Sequence, residues 1–415
     1  MAKTLLSESD FSSFVSTYTK PITKSIKILN SQGGQATIAR LSADGWNLIP
    51  PRFSRKGNVY DDVLFVEKTG RESLGSHTLH QEGKFYVQEM AAGMAAQVLY
   101  ASDGKSQPRG QLVLDLCAAP GGKSIQLADL NCDSVIISNE PDPHRRKALE
   151  ANLERCGIIN TLVTWYDGRQ LGDLLFEQCD KVLLDAPCSG EGMQYKKEFT
   201  VYQRNEKKVK KLAHLQRELF ISAFKALKVG WELVYSTCTT NIIENEENVA
   251  YFLQEFAGSL ELLPVEIEEK SCWLSGDDTI DGKVARFRPH VHHTGGFFIA
   301  KFRKTASLCQ YQVSRAWTPS KSLWTAFRRV SPPDFLNTLH FDGWISEETT
   351  VAWIEERYLF LASKHTLRIT IPAVIPFLDQ LYLQRVGLPI AKILQDGSLK
   401  PIVANLPKIR LWTGK

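Results

Sequence analysis

Short apolar runs alternate with longer helical patterns from residue 112 to about residue 304. The runs are LVLDLC, SVIISNE, TLVTWYD, KVLLDA and ELVYST, and each is short and apolar enough to form a strand buried on both faces. The patterns between them include SIQLADL, PHRRKALEANLERCG, LAHLQRELFISAFKAL and ENEENVAYFLQEFA. This alternation predicts an α/β fold with a doubly wound parallel sheet, which FFIAKF closes as a final strand.

Different patterns flank this segment on both sides. Residues 1–95 mix helical and strand patterns, among them the strand pattern VLFVEK. Beyond Thr305 the strand patterns RYLFLAS, TLRITIP and PIAKIL follow, and this region holds five of the nine tryptophans. We therefore expect a small N-terminal α+β domain at 1–95, the α/β domain at 96–305 and a C-terminal β-rich domain at 306–415.

Composition excludes several classes of protein. The chain has 43% hydrophobic and 23% charged residues, which is typical of a folded globular protein. No run approaches the ~18 apolar residues of a membrane span, and the start MAKTLLSESDFSSF lacks the apolar core of a signal peptide. None of the eight cysteines forms a CxxC pair, which argues against a structural zinc site. These features predict a cytoplasmic protein without membrane or metal.

The net charge of +4 is unevenly spread along the chain. Residues 1–110 carry 13 Lys and Arg against 10 Asp and Glu, and residues 306–415 carry 13 against 8. Basic flanks suit contacts with nucleic-acid phosphates, although many soluble proteins are equally asymmetric. A basic run lies within the central segment and is interpreted first as a solvated helix face and second as a phosphate contact. Its members are Lys207, Lys208, Lys210 and Lys211.

Two cysteines follow predicted strands. Cys188 lies in DAPCSGEG after the run KVLLD, and Cys238 lies in STCT after the run ELVYS. The carboxyl ends of parallel strands form the active-site crevice of an open α/β sheet. A cysteine in a folded chain is often only a small buried hydrophobe, but two thiols at this edge of the sheet favour nucleophilic chemistry.

A glycine-containing loop follows the first strand of the central segment, which ends near Asp115. Its sequence AAPGGK lacks the spacing of both the P-loop and the dinucleotide-binding GxGxxG motif. An oxidoreductase of the Rossmann type is therefore disfavoured, and it would also leave both cysteines unexplained. Glycines allow the backbone to approach a ligand closely. The residues of this candidate cofactor loop are Cys117, Ala118, Ala119, Pro120, Gly121, Gly122 and Lys123.

Three acids end the next strands. Glu140 lies about 20 residues beyond the loop, where a ribose-binding acid is found in nucleotide-binding sheets. Asp167 in YDGRQ could meet an adenine amino group, and Asp185 ends the strand before Cys188. A solvated strand end explains Glu140 equally well, and an Asp-Gly pair such as Asp167 is usually just a turn. Their shared position favours one nucleoside pocket.

Four segments resemble, in this order, the motifs of the S-adenosylmethionine-dependent RNA cytosine-C5 methyltransferases of the Nol1/Nop2/Sun family. They are LDLCAAPGGKS, LLDAPCSGEGM, LVYSTCTTNIIENEENV and GGFFIAKFRK. The resemblance covers roughly residues 20–305. The segments LGSHTLHQEGKFYVQE and NEPDPHRRKALEANLERCGIIN further resemble the bacterial 16S rRNA methyltransferases of the RsmF type. This implies a Rossmann-like class I methyltransferase domain and S-adenosyl-L-methionine as cofactor. It also implies RNA as partner, namely 16S rRNA within the small ribosomal subunit.

The resemblance also implies roles for individual residues. It makes Cys238 the nucleophile that adds to cytosine C6, and it gives Cys188 a part in product release. Lys123 is a candidate cation for lowering the pKa of the Cys238 thiol. Asp185 could hydrogen-bond the N3/N4 edge of the cytosine. The chain departs from the family at Tyr195, where arginine is usual.

Other interpretations stay open at this stage. A tRNA methyltransferase of the same family is the first alternative. A catalytically silent RNA-binding assembly factor is disfavoured, because both thiols, Lys123 and Asp185 are all present. The segment RFRPH, from Arg286 to His290, either contacts RNA or satisfies a loop. In the N-terminal region, Lys27 replaces an arginine of the family pattern.

Overall fold

We describe the chain from a computed structural model. The residues it describes are 12–13, 16–17, 22–51, 63–68, 73–101, 110–196, 206–267 and 277–308, together with the backbone of short strands between 328 and 401. They form an N-terminal sheet, a central sheet covered by helices on both faces, and a C-terminal antiparallel sheet.

The N-terminal sheet is antiparallel and has four strands in the order β2-β3-β1-β4. Their bounds are β1 (Lys24–Ile28), β2 (Asn47–Ile49), β3 (Val63–Glu67) and β4 (Phe85–Val87). Helices α1 (Gly34–Ala43) and α2 (Thr78–Gln81) complete it. Its core includes Ile26, Ile28 and Phe85, all of them fully buried. The predicted mixture of helix and strand is therefore present.

Helix α3 (Met90–Tyr100) connects this sheet to the central one. It begins at Glu89, whose carboxylate accepts a hydrogen bond from the main-chain N of Ala92. Its buried residues, such as Met94, pack into the same core as Val113 of the central sheet. The predicted boundary between residues 95 and 96 consequently falls inside a helix, and the division into domains stays a prediction.

The central sheet has the strand order β10-β12-β9-β8-β5-β6-β7. Its strands are β5 (Leu112–Asp115), β6 (Val135–Asn139), β7 (Thr161–Thr164), β8 (Cys179–Asp185), β9 (Leu227–Thr237), β10 (Leu260–Leu263) and β12 (Phe297–Lys304). The five central strands pair in parallel, which confirms the predicted Rossmann-like α/β fold. The closing strand β12 runs antiparallel to β9. A short strand, β11 (Ala285–Phe287), pairs with β12.

Helices cover both faces of this sheet. They are α4 (Gly122–Leu130), α5 (Pro143–Arg155), α6 (Gly168–Leu174), α7 (Glu206–Ala226) and α8 (Glu246–Glu255). Successive strand residues point to opposite faces, so Leu114 belongs to the core under α6, α7 and α8, whereas Val113 belongs to the core under α3, α4 and α5. The first core contains Phe220 stacked on Phe252 at 3.6 Å between ring centroids. Strands buried on both faces explain the continuous apolar runs of the sequence.

Two short helices, α9 (Asp278–Asp281) and α10 (Pro289–His292), precede the end of the central region. Beyond it the described backbone forms a seven-stranded antiparallel sheet between Arg328 and Pro401, as the β-rich pattern predicts. A further strand there, Leu383–Val386, pairs antiparallel with β7. Within the described residues no helix is both long and apolar enough to span a bilayer. The side chain of Tyr195 lies outside the described part, so its predicted difference in RNA contact stays a prediction.

Candidate active site

Five parallel strands end at one edge of the central sheet, and the candidate residues follow them directly. Strands β8 and β9 are neighbours there, and Asp185 lies opposite Ser236 in their register. Cys188 follows the first strand by three residues and Cys238 follows the second by one. The pairing of these two strands therefore brings together thiols that are distant in sequence.

The two thiols are in direct contact. Their Sγ atoms lie 3.1 Å apart, at the distance of a sulfur hydrogen bond in which either atom could donate. A hydrogen bond from Cys188 lowers the pKa of the Cys238 thiol, and the positive charge of Lys123 acts in the same direction. The same hydrogen bond, together with burial, raises the pKa of Cys188. The pair is consequently polarised, and Cys238 is the thiol that loses its proton more readily to form the thiolate, which is the nucleophilic form.

Lys123 lies beside the thiols in the first turn of α4. Its Nζ is 2.7 Å from Oδ2 of Asp185 and 5.4 Å from the centre of the Phe297 ring. Burial would lower the pKa of Lys123, but the charge of Asp185 more than offsets this, and the pKa is raised. The other oxygen of Asp185 accepts a hydrogen bond from Ser236 Oγ at 2.8 Å. The lysine therefore stays charged next to Cys238.

The candidate cofactor loop connects β5 to α4 by a sharp turn. Gly121 has a φ of +110°, and a Cβ there would lie 3.0 Å from Leu149. At Gly122 a Cβ would lie 2.8 Å from the ring of Tyr86. The two glycines thus allow close packing of helix α5 and of the N-terminal sheet against the loop, in addition to any approach of a ligand. Burial raises the pKa of the Cys117 thiol, which makes it a poor nucleophile.

Asp115 ends β5 below the loop and is fully buried. Burial raises its pKa to about 7, although a hydrogen bond from Ser124 opposes this. That bond joins Ser124 Oγ to Oδ2 of Asp115 at 2.6 Å. Asp115 therefore stabilises the start of α4, the helix that carries Lys123.

Glu140 and Asp167 lie at the ends of the neighbouring strands, as predicted, and arginines engage both. Oε1 of Glu140 accepts a hydrogen bond from Asp142 N at 3.0 Å, and its Oε2 is 3.1 Å from Nη1 of Arg145. Asp167 caps α6, and hydrogen bonds from Arg169 lower its pKa. Both carboxylates therefore lie, each paired with an arginine, at the edge where a nucleoside pocket was predicted.

A second arginine contact ties this region to the cofactor loop. Nη2 of Arg145 donates to the main-chain oxygen of Ala119 at 2.9 Å. Arg145 lies in the first turn of α5, which begins with the capping residue Asp142 and with Pro143. One side chain thus connects the end of β6 with the turn after β5.

The sequence interpretation missed a buried polar network below the thiols. It surrounds Glu244, whose carboxylate accepts hydrogen bonds from Ser189 N at 3.0 Å, Gln216 Nε2 at 2.7 Å and Asn241 Nδ2 at 2.6 Å. Polar residues are frequent in the segment NIIENEEN, which begins three residues after Cys238, and this density was the available signal. Nothing local indicated that Gln216, in the middle of an amphipathic helix, joins them.

The two other candidates for RNA contact, the segment RFRPH and the lysine run at the start of α7, lie in different environments. Arg286 is buried and forms an ion pair with Glu246, and its Nη1 donates to the main-chain oxygen of Thr240 at 3.0 Å. Of the two interpretations of RFRPH, Arg286 thus supports the second, in which it satisfies a loop. The lysine run is exposed in the first turns of α7, where Lys210 pairs with Glu206. Its members are Lys207, Lys208, Lys210 and Lys211.

Among the described residues no three His, Cys, Asp or Glu side chains are arranged to hold a metal ion.

Comparison with known proteins finds one family of relatives by sequence and by fold. The family model for the 16S rRNA methyltransferase RsmB/F matches residues 105–303. The ribosomal RNA small subunit methyltransferase F of Cronobacter sakazakii is 33% identical over 402 residues, which cover 92% of this chain and 76% of that protein. The protein of the same name from Salmonella agona is 36% identical over 314 residues, but the chain spans only 62% of its length.

Solved structures agree with this comparison. A methyltransferase homolog protein from Pyrococcus horikoshii superposes with a TM-score of 0.61 at 29% identity, covering 72% of this chain and 92% of that one. NSun6 from Pyrococcus horikoshii, at 23% identity, has the same fold, with a TM-score of 0.61. With the coverage of the Cronobacter relative, these matches show that the chain belongs to the RsmB/F family of 16S rRNA methyltransferases.

Proposed function

We propose that this protein transfers a methyl group from S-adenosyl-L-methionine to C5 of one cytosine in 16S rRNA. The observation that carries the proposal is the contact between Cys188 and Cys238, beside the Lys123–Asp185 ion pair. Two thiols at the ends of adjacent strands suit a reaction that needs both a nucleophile and a second group for release. The names of the relatives support ribosomal RNA of the small subunit as substrate.

The chemistry follows from the low reactivity of cytosine C5. The thiolate of Cys238 adds to C6, and the ring becomes an enamine whose C5 is nucleophilic. S-adenosyl-L-methionine supplies the methyl group as an electrophile at this point. A base then takes the C5 proton, the electron pair of the C5–H bond restores the double bond between C5 and C6, the bond between C6 and sulfur breaks, and its electron pair returns to Cys238. We assign help in this release to Cys188, and we assign to Asp185 a hydrogen bond to the N3/N4 edge of the base.

The residues at the strand ends suit an adenosine-containing cofactor. In the proposal Glu140 accepts hydrogen bonds from the ribose hydroxyls and Asp167 from the adenine amino group, while the loop from Cys117 to Lys123 and Asp185 surround the rest. Carboxylates are suitable acceptors for hydroxyl and amino donors. Arg145 and Arg169 occupy these carboxylates, so binding requires them to share or exchange hydrogen bonds.

RNA recognition is assigned to the regions around the site. The target base has to be unpaired or flipped out of its stack to reach Cys238. We propose that residues 1–95 and 306–415 act as RNA-binding domains on either side of the domain at 96–305, with further phosphate contacts from the lysines at the start of α7. The exposure of these lysines supports the phosphate contacts. Phosphate contacts make affinity salt-dependent but leave the choice of base to the pocket.

The experiment is methyl transfer from labelled S-adenosyl-L-methionine to three substrates, namely 30S subunits, naked 16S rRNA and tRNA. Bisulfite sequencing then locates the modified cytosine, and Cys238→Ala serves as the inactive control. We expect one cytosine of 16S rRNA to be methylated, with 30S subunits preferred. Methylation of tRNA alone would move the substrate to the tRNA alternative, and RNA binding without any methylation would favour a silent assembly factor.

A further inference from the structure

We infer that Glu244 is a positioning residue that holds the two catalytic thiols in register, an inference that rests on the proposed function. Its carboxylate lies below both cysteine loops and is fully buried. Oε2 accepts a hydrogen bond from the main-chain N of Ser189, the residue after Cys188, at 3.0 Å. Oε1 accepts from Nδ2 of Asn241, three residues after Cys238, at 2.6 Å. One side chain therefore bonds to both loops.

Gln216 anchors this link to helix α7. Its Nε2 donates to Oε2 of Glu244 at 2.7 Å and to the main-chain oxygen of Pro187 at 2.9 Å. Its Oε1 accepts a hydrogen bond from Nδ2 of Asn248 at 2.9 Å. The amide of Gln216 cannot invert without losing all of these bonds. The residue before Cys188 is thereby tied to a long helix through the same amide group that binds the Glu244 carboxylate.

Asn241 is oriented just as firmly. Its Nδ2 also donates to Oγ1 of Thr239 at 2.8 Å, and its Oδ1 accepts from the main-chain N of Glu244 at 2.9 Å. Thr239 Oγ1 lies 2.8 Å from Ser189 Oγ, which joins the two loops a second time. Asn241 therefore presents an N–H group, and not its oxygen, to the carboxylate of Glu244.

All three partners of Glu244 are donors whose orientation the surroundings fix, so the group at this position has to be a pure acceptor. A glutamine would direct an N–H group at one of these donors in either orientation of its amide. A buried network that is only partly satisfied loses its unique arrangement. The loops of Cys188 and Cys238 would then no longer be bonded to one common side chain. The sulfur atoms, which lie 3.1 Å apart in the structure, would be in contact for a smaller fraction of the time.

The contact matters because the two thiols have to act on the same base. Cys238 attacks C6, whereas the proton that leaves is on the neighbouring atom C5. Misplacement of a reacting group by about 1 Å can cost on the order of 100-fold in rate. Positioning by Glu244 is therefore expected to affect kcat, with little effect on the binding of cofactor or RNA.

A matched control lies at the other end of strand β8. Asp180 is also a buried carboxylate, and it accepts hydrogen bonds from Leu112 N and from Lys228 Nζ, each at 2.7 Å. It is remote from the thiols along the strand. Asp180→Asn thus reports what the loss of a buried acceptor does to the domain in general.

The test compares the wild type with Glu244→Gln, Glu244→Ala and Asp180→Asn in the full chain. The first readout is steady-state methylation of the RNA substrate. We expect Glu244→Gln to lower kcat by roughly 10- to 100-fold, with KM for RNA and cofactor nearly unchanged, and Glu244→Ala to lower it further. Asp180→Asn is expected to keep wild-type kcat.

The second readout needs no RNA. The oxidant diamide removes one hydrogen from each thiol, is reduced to its hydrazine, and leaves a disulfide between Cys188 and Cys238. Peptide mapping by mass spectrometry gives the rate, which reports how often the sulfur atoms are in contact. We expect slower disulfide formation in both Glu244 variants than in the wild type and in Asp180→Asn.

The outcomes separate the two proposals. A folded Glu244→Gln protein with wild-type kcat and wild-type disulfide rate would overturn the positioning role, as would an equal loss in Asp180→Asn. If Glu244→Ala does not fold, the conservative Glu244→Gln decides. If the wild type methylates no RNA, but the Glu244 variants form the disulfide more slowly than the wild type, the proposed function is refuted. The role of Glu244 in spacing the thiols would then stand.

Discussion

The sulfur atoms of Cys188 and Cys238 lie 3.1 Å apart, although 50 positions separate the two residues in the sequence. The parallel pairing of β8 with β9 explains this, because it places Asp185 opposite Ser236 and lets both loops start at the same level. The contact polarises the pair, lowering the pKa of Cys238 and raising that of Cys188. Two chemically identical side chains are thereby prepared for different roles.

The roles of the two thiols can be separated by substitution. Cys238→Ala removes the nucleophile, so we expect no methyl transfer and no covalent RNA adduct. Cys188→Ala leaves the nucleophile but impairs release, so an SDS-resistant complex of protein and RNA is expected to accumulate. Gel electrophoresis of reactions with labelled RNA measures the adduct. Accumulation in Cys238→Ala and absence in Cys188→Ala would reverse the assignment.

The reactivity of Cys238 should depend on pH in a defined direction. Its pKa is lowered from the ordinary thiol value, mainly by the hydrogen bond from Cys188, and the thiolate is the form that reacts. Alkylation by iodoacetamide should therefore rise at lower pH than for an ordinary thiol. Cys188→Ala removes the donor, and the rise is expected to move to higher pH. Peptide mapping at each pH measures this.

A smaller change in the same direction is expected for Lys123→Met, since the charge of Lys123 is a weaker cause of the lowered pKa. The half-buried Cys117 of the same protein is an internal control, because its raised pKa is expected to delay its alkylation to higher pH than that of Cys238. An unchanged alkylation profile in Cys188→Ala would show that the contact between the sulfur atoms does not stabilise the thiolate.

Glu140 provides a test of the cofactor site. Glu140→Ala is expected to weaken binding of S-adenosyl-L-methionine by roughly 1–3 kcal/mol, because the ribose hydroxyls lose their acceptor. Isothermal titration calorimetry measures this directly. Glu150→Ala, on the same helix as Arg145 and close to Arg146, is the control for a general loss of negative charge. Equal affinities of Glu140→Ala and the wild type would remove Glu140 from the site.

The N-terminal sheet is joined to the central domain by a buried ion pair. Nζ of Lys27 lies 2.9 Å from Oδ2 of Asp129, at the end of α4, and both side chains are fully buried. Loss of one partner leaves the other charge uncompensated, so Lys27→Met is expected to lower the free energy of unfolding by about 3–5 kcal/mol. Lys27→Arg keeps the charge that the family pattern has there and should cost much less. Urea unfolding at neutral pH compares the two.

The same pair predicts a dependence of stability on pH. Burial opposes ionisation of Asp129, but the charge of Lys27 and hydrogen bonds from Ser31 prevail and lower its pKa. A lowered carboxyl pKa contributes stability that is present above the unfolded pKa and is lost as the pH falls through the folded one. The part of the free energy of unfolding that is lost at acid pH should be smaller in Lys27→Met than in the wild type. An identical slope of stability against pH in the two proteins would contradict this prediction.

Local sequence patterns were sufficient for much of the fold and part of the site. Apolar runs buried on both faces predicted the central strands, and Asp142 followed by Pro143 is a local signal for the start of α5. The ends of strands are local features too. Cys188 and Cys238 could therefore be assigned to one edge of the sheet before the order of its strands was known.

Only the tertiary structure decided which of these residues touch. The antiparallel direction of β12, the engagement of Glu140 by Arg145 and the burial of Arg286 against Glu246 depend on which elements become neighbours. Glu244 and Gln216 are 28 residues apart, and their hydrogen bond exists only because α7 packs beneath the cysteine loops. Periodicity and end signals act over a few residues, whereas the spacing of the two thiols is set by contacts between distant segments. The sequence alone therefore predicts the chemical groups of the site but not the geometry in which they are held.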